Sequence, residues 1–402
     1  MTNSNENTYL VVGGGIGGLA TVLSLANSGR RVKVLEQAPE FGEVGAGIQL
    51  AANATNVLQH LGVMDKISEI AVFPKRLVLM DAYTGNELAA LDIGETYRER
   101  YGAPYVVLHR SDLQRILLEA CEEHPNVDLY TNQKIVETVQ DDDTVTATSA
   151  NGEVHTGKAL IGADGLWSTT RQLFSDDQPE CSEYVAYRGA IPIEEVTNIG
   201  NLDDVYMWIG PNLHVVQYPV RKGELYNQVV VFKSSQYKKE IEKTDEWGTP
   251  EEMDEVFAKT CDKVQTAISY ISRQKRWPMY DRKPIDNWTD GRITLTGDAA
   301  HPMLQYLAQG ACQALEDAPY LANMLDKHND DVEKAFRAFQ EERLPRTADV
   351  QTSARQWGEI IHAVDDTSIL LRNTVLANHT VNDFQFIDKY HGYKKLTNKV
   401  EA

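Results

Sequence analysis

The chain has 402 residues, enough for two or three domains around a sizeable core, and 59 acidic against 39 basic side chains, a formal net charge of −20. That charge disfavours binding to a phosphate backbone and means that an anionic small molecule would need a local basic or hydrogen-bonding pocket. No stretch approaches the roughly 20 apolar residues of a membrane span, and Cys121, Cys181, Cys261 and Cys312 are scattered without metal or disulfide spacing. With residues 1–9 lacking the basic start of a secretory signal, these features predict a cytoplasmic protein with free thiols and no metal site.

Residues 9–12 form a short apolar run that ends at Gly13-Gly14-Gly15-Ile16-Gly17-Gly18, and Leu19, Val22, Leu23 and Ala26 then recur at helical spacing. The pattern predicts strand, G-x-G-x-x-G, helix, with Gly13, Gly15 and Gly18 at the fingerprint positions. The first glycine allows the tight turn, the second lets backbone approach a pyrophosphate, and the third lets helix and strand pack closely. A second strand, 31–35, runs into Glu36, whose carboxylate can accept hydrogen bonds from both ribose hydroxyls. This is a dinucleotide site, and by itself it leaves FAD and NAD both open.

Four later segments follow in order: Glu43-Val44-Gly45-Ala46-Gly47-Ile48; His109-Arg110-Ser111-Asp112-Leu113; Gly162-Ala163-Asp164-Gly165-Leu166-Trp167-Ser168; and Gly291-Arg292-Ile293-Thr294-Leu295-Thr296-Gly297-Asp298-Ala299-Ala300-His301. Together they resemble the signature set of the single-component flavoprotein aromatic hydroxylases, the para-hydroxybenzoate hydroxylase fold, from about residue 9 to about residue 346. The resemblance implies an α/β protein: a Rossmann-like FAD-binding domain interrupted by a β-sheet substrate domain, with C-terminal helices. FAD-binding parts are expected at 8–75, 101–180 and 276–346, substrate-domain parts at 76–100 and 181–275, and a C-terminal helical segment and tail at 347–402. FAD is the implied cofactor, with NADH or NADPH and O₂ as co-substrates. Asp298 would bond the ribityl chain, and amides around residues 307–310, including those of Ala308 and Gly310, would stabilise negative charge on the reduced ring. Arg110 would lie against the phosphate or ribityl region, Gly47 belongs to the same cofactor site, and Asp164 would touch both FAD and the nicotinamide. No second glycine fingerprint with its own strand and acid follows, so the nicotinamide is expected to bind transiently over the flavin.

Residues 205–209, 214–220 and 226–232 read as a meander, turning at Gly210-Pro211-Asn212 and at Arg221-Lys222-Gly223-Glu224. Alternation puts His214, Val216 and Tyr218 on one face, where imidazole and phenol suit a phenolic ring, although two partly exposed strand residues fit the pattern as well. An imidazole with an ordinary pKa of about 6.5 suits exchange of a phenolic proton near neutral pH. His214-Val215-Val216-Gln217-Tyr218-Pro219 resembles the corresponding strand of the 3-hydroxybenzoate 6-hydroxylases. So do Leu304-Gln305-Tyr306-Leu307-Ala308, the segment around Tyr105, and Trp277-Pro278-Met279-Tyr280-Asp281-Arg282. Many family members carry a proline where Gln305 stands and a glycine where Ala308 stands, so here a side-chain amide replaces the proline's backbone contact. The resemblance makes His214 the base and Tyr218, Gln305 and Tyr105 further candidates; Tyr105 reads equally as a core aromatic at the domain junction.

Residues 332–362 read as one helix with Phe336, Phe339 and Leu344 inward and Glu341, Glu342 and Arg343 as a solvated face of little energetic weight. Trp357, Ile360, Ile361 and Val364 form an apolar stripe, explained first by core packing and second by a homodimer interface, and residues 394–402 read as a disordered tail. The reaction implied is hydroxylation of a small phenolic acid, 3-hydroxybenzoate to gentisate. Salicylate, hydroxynicotinate and quinolone-type rings stay open, as does a reductase or oxidase that oxygenates nothing.

Overall fold

The structure, a computed structural model, describes residues 7–42, 45–197 and 200–392; the readings of Glu43, Val44 and the 394–402 tail lie outside them. Thr8–Val12 is buried along its whole length at the centre of a six-stranded sheet. The strand order is Thr289–Asp290, Ile293–Leu295, Ala159–Gly162, Thr8–Val12, Arg31–Leu35 and Val127–Tyr130, parallel except for the short first strand. Central parallel strands are covered on both faces and so need unbroken apolar runs, which Tyr9 to Val12 and Ala159 to Ile161 supply. One face packs on helices Ile16–Asn27, Arg110–Glu122 and Gly310–Lys327. The other is covered by a three-stranded sheet, Ile135–Gln140, Val145–Ser149 and Val154–Gly157.

The second large sheet has seven strands in the order Trp277–Asp281, Glu180–Pro192, Leu225–Lys233, Leu213–Val220, Asp204–Gly210, Arg76–Asp81 and Glu87–Asp92. All neighbours are antiparallel except Asp204–Gly210 with Arg76–Asp81. Alternation separates its two faces. Leu213, Val215, Val230 and Phe232 bury against helices Pro250–Phe257 and Asp262–Tyr270. Ile209, Val216, Val229 and Val231 face the other way, towards Leu304, Tyr306 and the end of the long helix Val332–Ile361. The fold class expected from sequence therefore holds: a Rossmann-like α/β layer, a β-sheet second layer and C-terminal helices. No described helix is long and apolar enough to cross a membrane.

Helix Val332–Ile361 is one continuous element, capped by Asp331, whose side chain accepts from the Lys334 amide at 3.3 Å. Its interior corrects one expectation. Glu341 is exposed, but Arg343 is fully buried and donates to Asp317 Oδ1 at 2.8 Å and to Glu316 Oε2 at 2.5 Å. The local string looks solvated; the preceding helix Gly310–Lys327 turns two carboxylates towards it, and burial of ions is tolerated only when they are paired. The apolar stripe divides: Ile361 is in the core, Trp357 is half-buried against Phe386 at 5.1 Å between ring centres, and Ile360 and Val364 are exposed. Arg343→Ala should lower stability by about 3–5 kcal/mol, the typical result of stranding buried partners. Urea unfolding measures it, and a loss below about 1 kcal/mol would show that Glu316 and Asp317 do not depend on that guanidinium.

Candidate active site

The first half of a cofactor cradle forms where Thr8–Val12 turns into Ile16–Asn27. Gly13 takes φ +108°, and a Cβ there would sit 2.3 Å from the Ala163 carbonyl oxygen, so only glycine fits. Gly15 is the helix N-cap, with no side chain capping the first turn and no acid in it, and Gly18 is buried behind the Gly13 carbonyl. An uncapped glycine N-terminus of this kind receives a pyrophosphate. Glu36 is held beside it, accepting from the Gly14 amide at 2.6 Å and the Ala38 amide at 2.8 Å.

The second half comes from later loops, one of them at the same edge of the sheet. Arg110 opens helix Arg110–Glu122, and its amide donates to the Ala46 carbonyl at 3.0 Å. Asp298 is exposed in the turn Gly297–Ala299, and a Cβ on Gly310, the first residue of Gly310–Lys327, would lie 4.0 Å from its Oδ1. Ala308 sits in the left-handed region at φ +52°, ψ 32°, at a cost of about 1–2 kcal/mol to a residue with a Cβ. That strain is offset by the loop's other contacts. Asp164 accepts from the Ser168 hydroxyl at 2.6 Å and from the Thr169 and Thr170 amides at 2.9 and 3.0 Å, so its carboxylate organises its own loop.

Facing this cradle, His214 and Tyr218 project from strand Leu213–Val220 on the face expected from alternation. Both are buried, at 1% and 2% exposure, which excludes the partly exposed alternative. Burial drives the His214 imidazole well below its ordinary 6.5, with His362 adding to the effect, and raises the Tyr218 phenol. His214 Nδ1 lies 2.7 Å from His362 Nε2, and Tyr306 meets the His214 ring edge-on at 5.6 Å. Tyr218 packs against Gly47, where a Cβ would come within 2.6 Å of its ring, while the Gly47 amide donates to Asn227 Oδ1 at 2.6 Å. Gln305 Oε1 accepts from Arg188 at 2.7 Å. Tyr105 is buried among Tyr97 and His391, at 6.1 Å from each ring, and donates to Gln49 at 2.7 Å. Its hydroxyl is thus engaged by Gln49.

Arg188, Asn227 and His362 escape a reading of the sequence. Arg188 is one cation on a strand whose neighbours on that face, Ala186 and Ala190, are small; alternation could have singled it out. His362 follows the long helix with nothing local to show that it meets His214. Arg188 Nε, Asn227 Nδ2 and Gln309 Nε2 are buried donors without a protein partner among the described residues. Such atoms call for acceptors on a ligand. With the glycine cradle, they fit a flavin dinucleotide and a ligand beside it.

Fold and site define a FAD-binding flavoprotein: the FAD binding domain family matches residues 6–354, and the chain belongs to it. It is 41% identical to the 3-hydroxybenzoate 6-hydroxylase of Polaromonas naphthalenivorans (strain CJ2) over 386 residues, 95% of this chain and 94% of that one. It is 38% identical to the 3-hydroxybenzoate 6-hydroxylase of Klebsiella oxytoca over 391 residues, 96% of each. Among solved structures, Klebsiella pneumoniae HpxO complexed with FAD and uric acid matches with a TM-score of 0.83 at 25% identity, covering 96% of this chain and 95% of that one. The chain is a flavin-dependent monooxygenase. Glu36→Ala should weaken FAD binding about 10- to 100-fold, the worth of charge-assisted hydrogen bonds at ~1.5–3 kcal/mol. Fluorescence titration of the apoprotein with FAD checks this, and unchanged affinity would remove Glu36 from the ribose site.

Proposed function

We propose that the chain hydroxylates a small phenolic acid, 3-hydroxybenzoate to gentisate, with NADH or NADPH and O₂. The observation that carries this reading is one sheet face presenting a buried imidazole, His214, and a guanidinium, Arg188, that has no carboxylate partner among the described residues. By register, His214 pairs with Val231 and Val231 with Ala186, two residues from Arg188. The two side chains therefore start about 10 Å apart across the strands and about 7 Å along them. Between them lie Val216, Val229 and Val231, with Leu304 and Tyr306 in the same apolar cluster, a slot for a ring.

Each end of such a slot meets one end of the substrate. Arg188, steadied by Gln305, supplies the positive charge that a benzoate carboxylate needs in a protein of net charge −20. His214 has Nδ1 engaged by His362, so Nε2 is the atom left for the phenolic hydroxyl. Being buried and neutral, it can accept that proton and leave an electron-rich ring. Bound FAD, reduced by the nicotinamide, would supply the activated oxygen, and the apolar walls would keep water from it. The relatives' printed activity supports 3-hydroxybenzoate as the particular acid.

The test is NADH and NADPH oxidation by the purified yellow protein with and without 3-hydroxybenzoate, with chromatography of the products. Stoichiometric gentisate is expected; hydrogen peroxide alone would make 3-hydroxybenzoate a mere effector. His214→Asn should cut hydroxylation about 10²- to 10⁴-fold while sparing FAD content. Arg188→Met should raise KM for 3-hydroxybenzoate about 10- to 100-fold, the worth of ~1.5–3 kcal/mol for hydrogen bonds to a charge. An unchanged KM would place the carboxylate elsewhere.

A further inference from the structure

The pair His214–His362 has a geometry that the base role of one histidine does not require. His362 caps the end of Val332–Ile361, and its ring lies nearly parallel to that of His214, 5.0 Å between centres at 23°. Tyr184 stacks on it at 4.7 Å and 22°, and Tyr306 meets it edge-on at 5.1 Å. Its backbone is pinned too: the Asn212 amide donates to the His362 carbonyl at 3.1 Å, and Arg372 donates to the Ile361 carbonyl at 2.9 Å. The groups facing the pair are therefore Tyr184 from one strand, Tyr306 from the 305–307 turn and Arg372 from helix Asp366–Ala377; no described carboxylate is bonded to either ring.

We propose that His362 is the second member of a proton relay that carries the substrate's phenolic proton from His214 to solvent. Two imidazole nitrogens 2.7 Å apart share one hydrogen, because two N–H groups would clash and two lone pairs would repel. The neutral pair then has two arrangements. In the first, His214 Nδ1–H donates to His362 Nε2, His214 Nε2 is an open lone pair, and His362 carries its other proton on Nδ1. In the second, every one of these protons has shifted one place. When the phenol O–H bond breaks, a new N–H bond forms at His214 Nε2. The His214 Nδ1–H bond breaks as one forms at His362 Nε2, and the His362 Nδ1 proton passes to water. The pair ends neutral, with His214 Nε2–H donating to the phenolate. The reverse shift resets it.

The physical gain is that no imidazolium has to persist in the interior. Burial lowers both rings, His362 to about 3 with Arg372 adding to the effect, so a lone His214 would be a weak acceptor. A shift of neutral tautomers avoids that cost. The chain reaches the surface close by: His362 is 5% exposed, and Val364, two residues on, is 58% exposed. The relay rests on the reading of His214 as the group that meets the phenol.

The test compares His214→Asn, His362→Gln and His362→Ala in the FAD-loaded full chain with 3-hydroxybenzoate. His362→Gln should lower kcat for gentisate formation about 100-fold with KM and FAD content within about threefold, since glutamine keeps the contact but cannot pass a proton. In His362→Ala, added imidazole should restore activity with a pH dependence that follows free imidazole. On the unaltered enzyme, the proton inventory of the hydroxylation step in H₂O–D₂O mixtures should be curved, with more than one proton in flight. A linear inventory, or wild-type kcat in His362→Gln beside an inactive His214→Asn, overturns the relay and leaves His214 as base. An active His214→Asn overturns the base reading itself. If either His362 variant loses FAD, the inventory on the unaltered enzyme decides.

Discussion

The arrangement of this molecule hangs on four buried ions between helices Gly310–Lys327 and Val332–Ile361. Glu316, Asp317 and Arg343 have side chains with no exposure at all, and Arg346 has little. Removing such ions from water costs several kcal/mol each, and only complete coordination offsets it. Asp317 gathers Arg343, His301 at 2.7 Å and the Gly297 amide at 2.8 Å. Glu316 gathers Arg343, Arg346 and the Asn53 amide group. Burial alone would raise the Asp317 carboxyl, but His301 and Arg343 hold it well below its ordinary value. The partners come from helix Val332–Ile361, the 297–302 loop and helix Ala52–His60, so satisfying the charges sets where those elements lie relative to Gly310–Lys327.

From that cluster the placement of the active site follows outward. The 297–302 loop is gripped at its first amide by Asp317, at the Ala299 and Ala300 carbonyls by Arg171, and at the Pro302 carbonyl by Gln351. A loop held at so many backbone groups can carry a strained Ala308 just beyond it. It also delivers Gln305 to Arg188 and Tyr306 to the two histidines, one on strand Leu213–Val220 and the other at the end of helix Val332–Ile361. Rigid elements thus position these polar groups.

The glycine turn, the strand before it and the acid after it were legible because each is a local consequence of backbone chemistry. The same is true of the face shared by His214, Val216 and Tyr218, since a strand's period of two is indifferent to its surroundings. Arg343 was misjudged for the opposite reason. Between Glu342 and Leu344 it has the look of a surface residue, and only the neighbouring helix shows it two carboxylates. Tyr105 stayed ambiguous in sequence because an aromatic at a domain junction and one in a pocket carry the same local pattern; its hydroxyl turns out to be taken by Gln49.

What the sequence by itself determined is the set of short-range geometries: the dinucleotide turn at Gly13 to Gly18, the parallel and antiparallel strands, the long helix, and the presence of an imidazole and a phenol on one face. What only the tertiary structure decided is which distant groups meet. His214 faces His362 across 148 positions of chain, and Arg188 faces Gln305 across 117. The reason is physical: period and propensity act within a few residues, whereas a buried polar atom is matched by whatever the packing of sheet on loop brings within 3 Å.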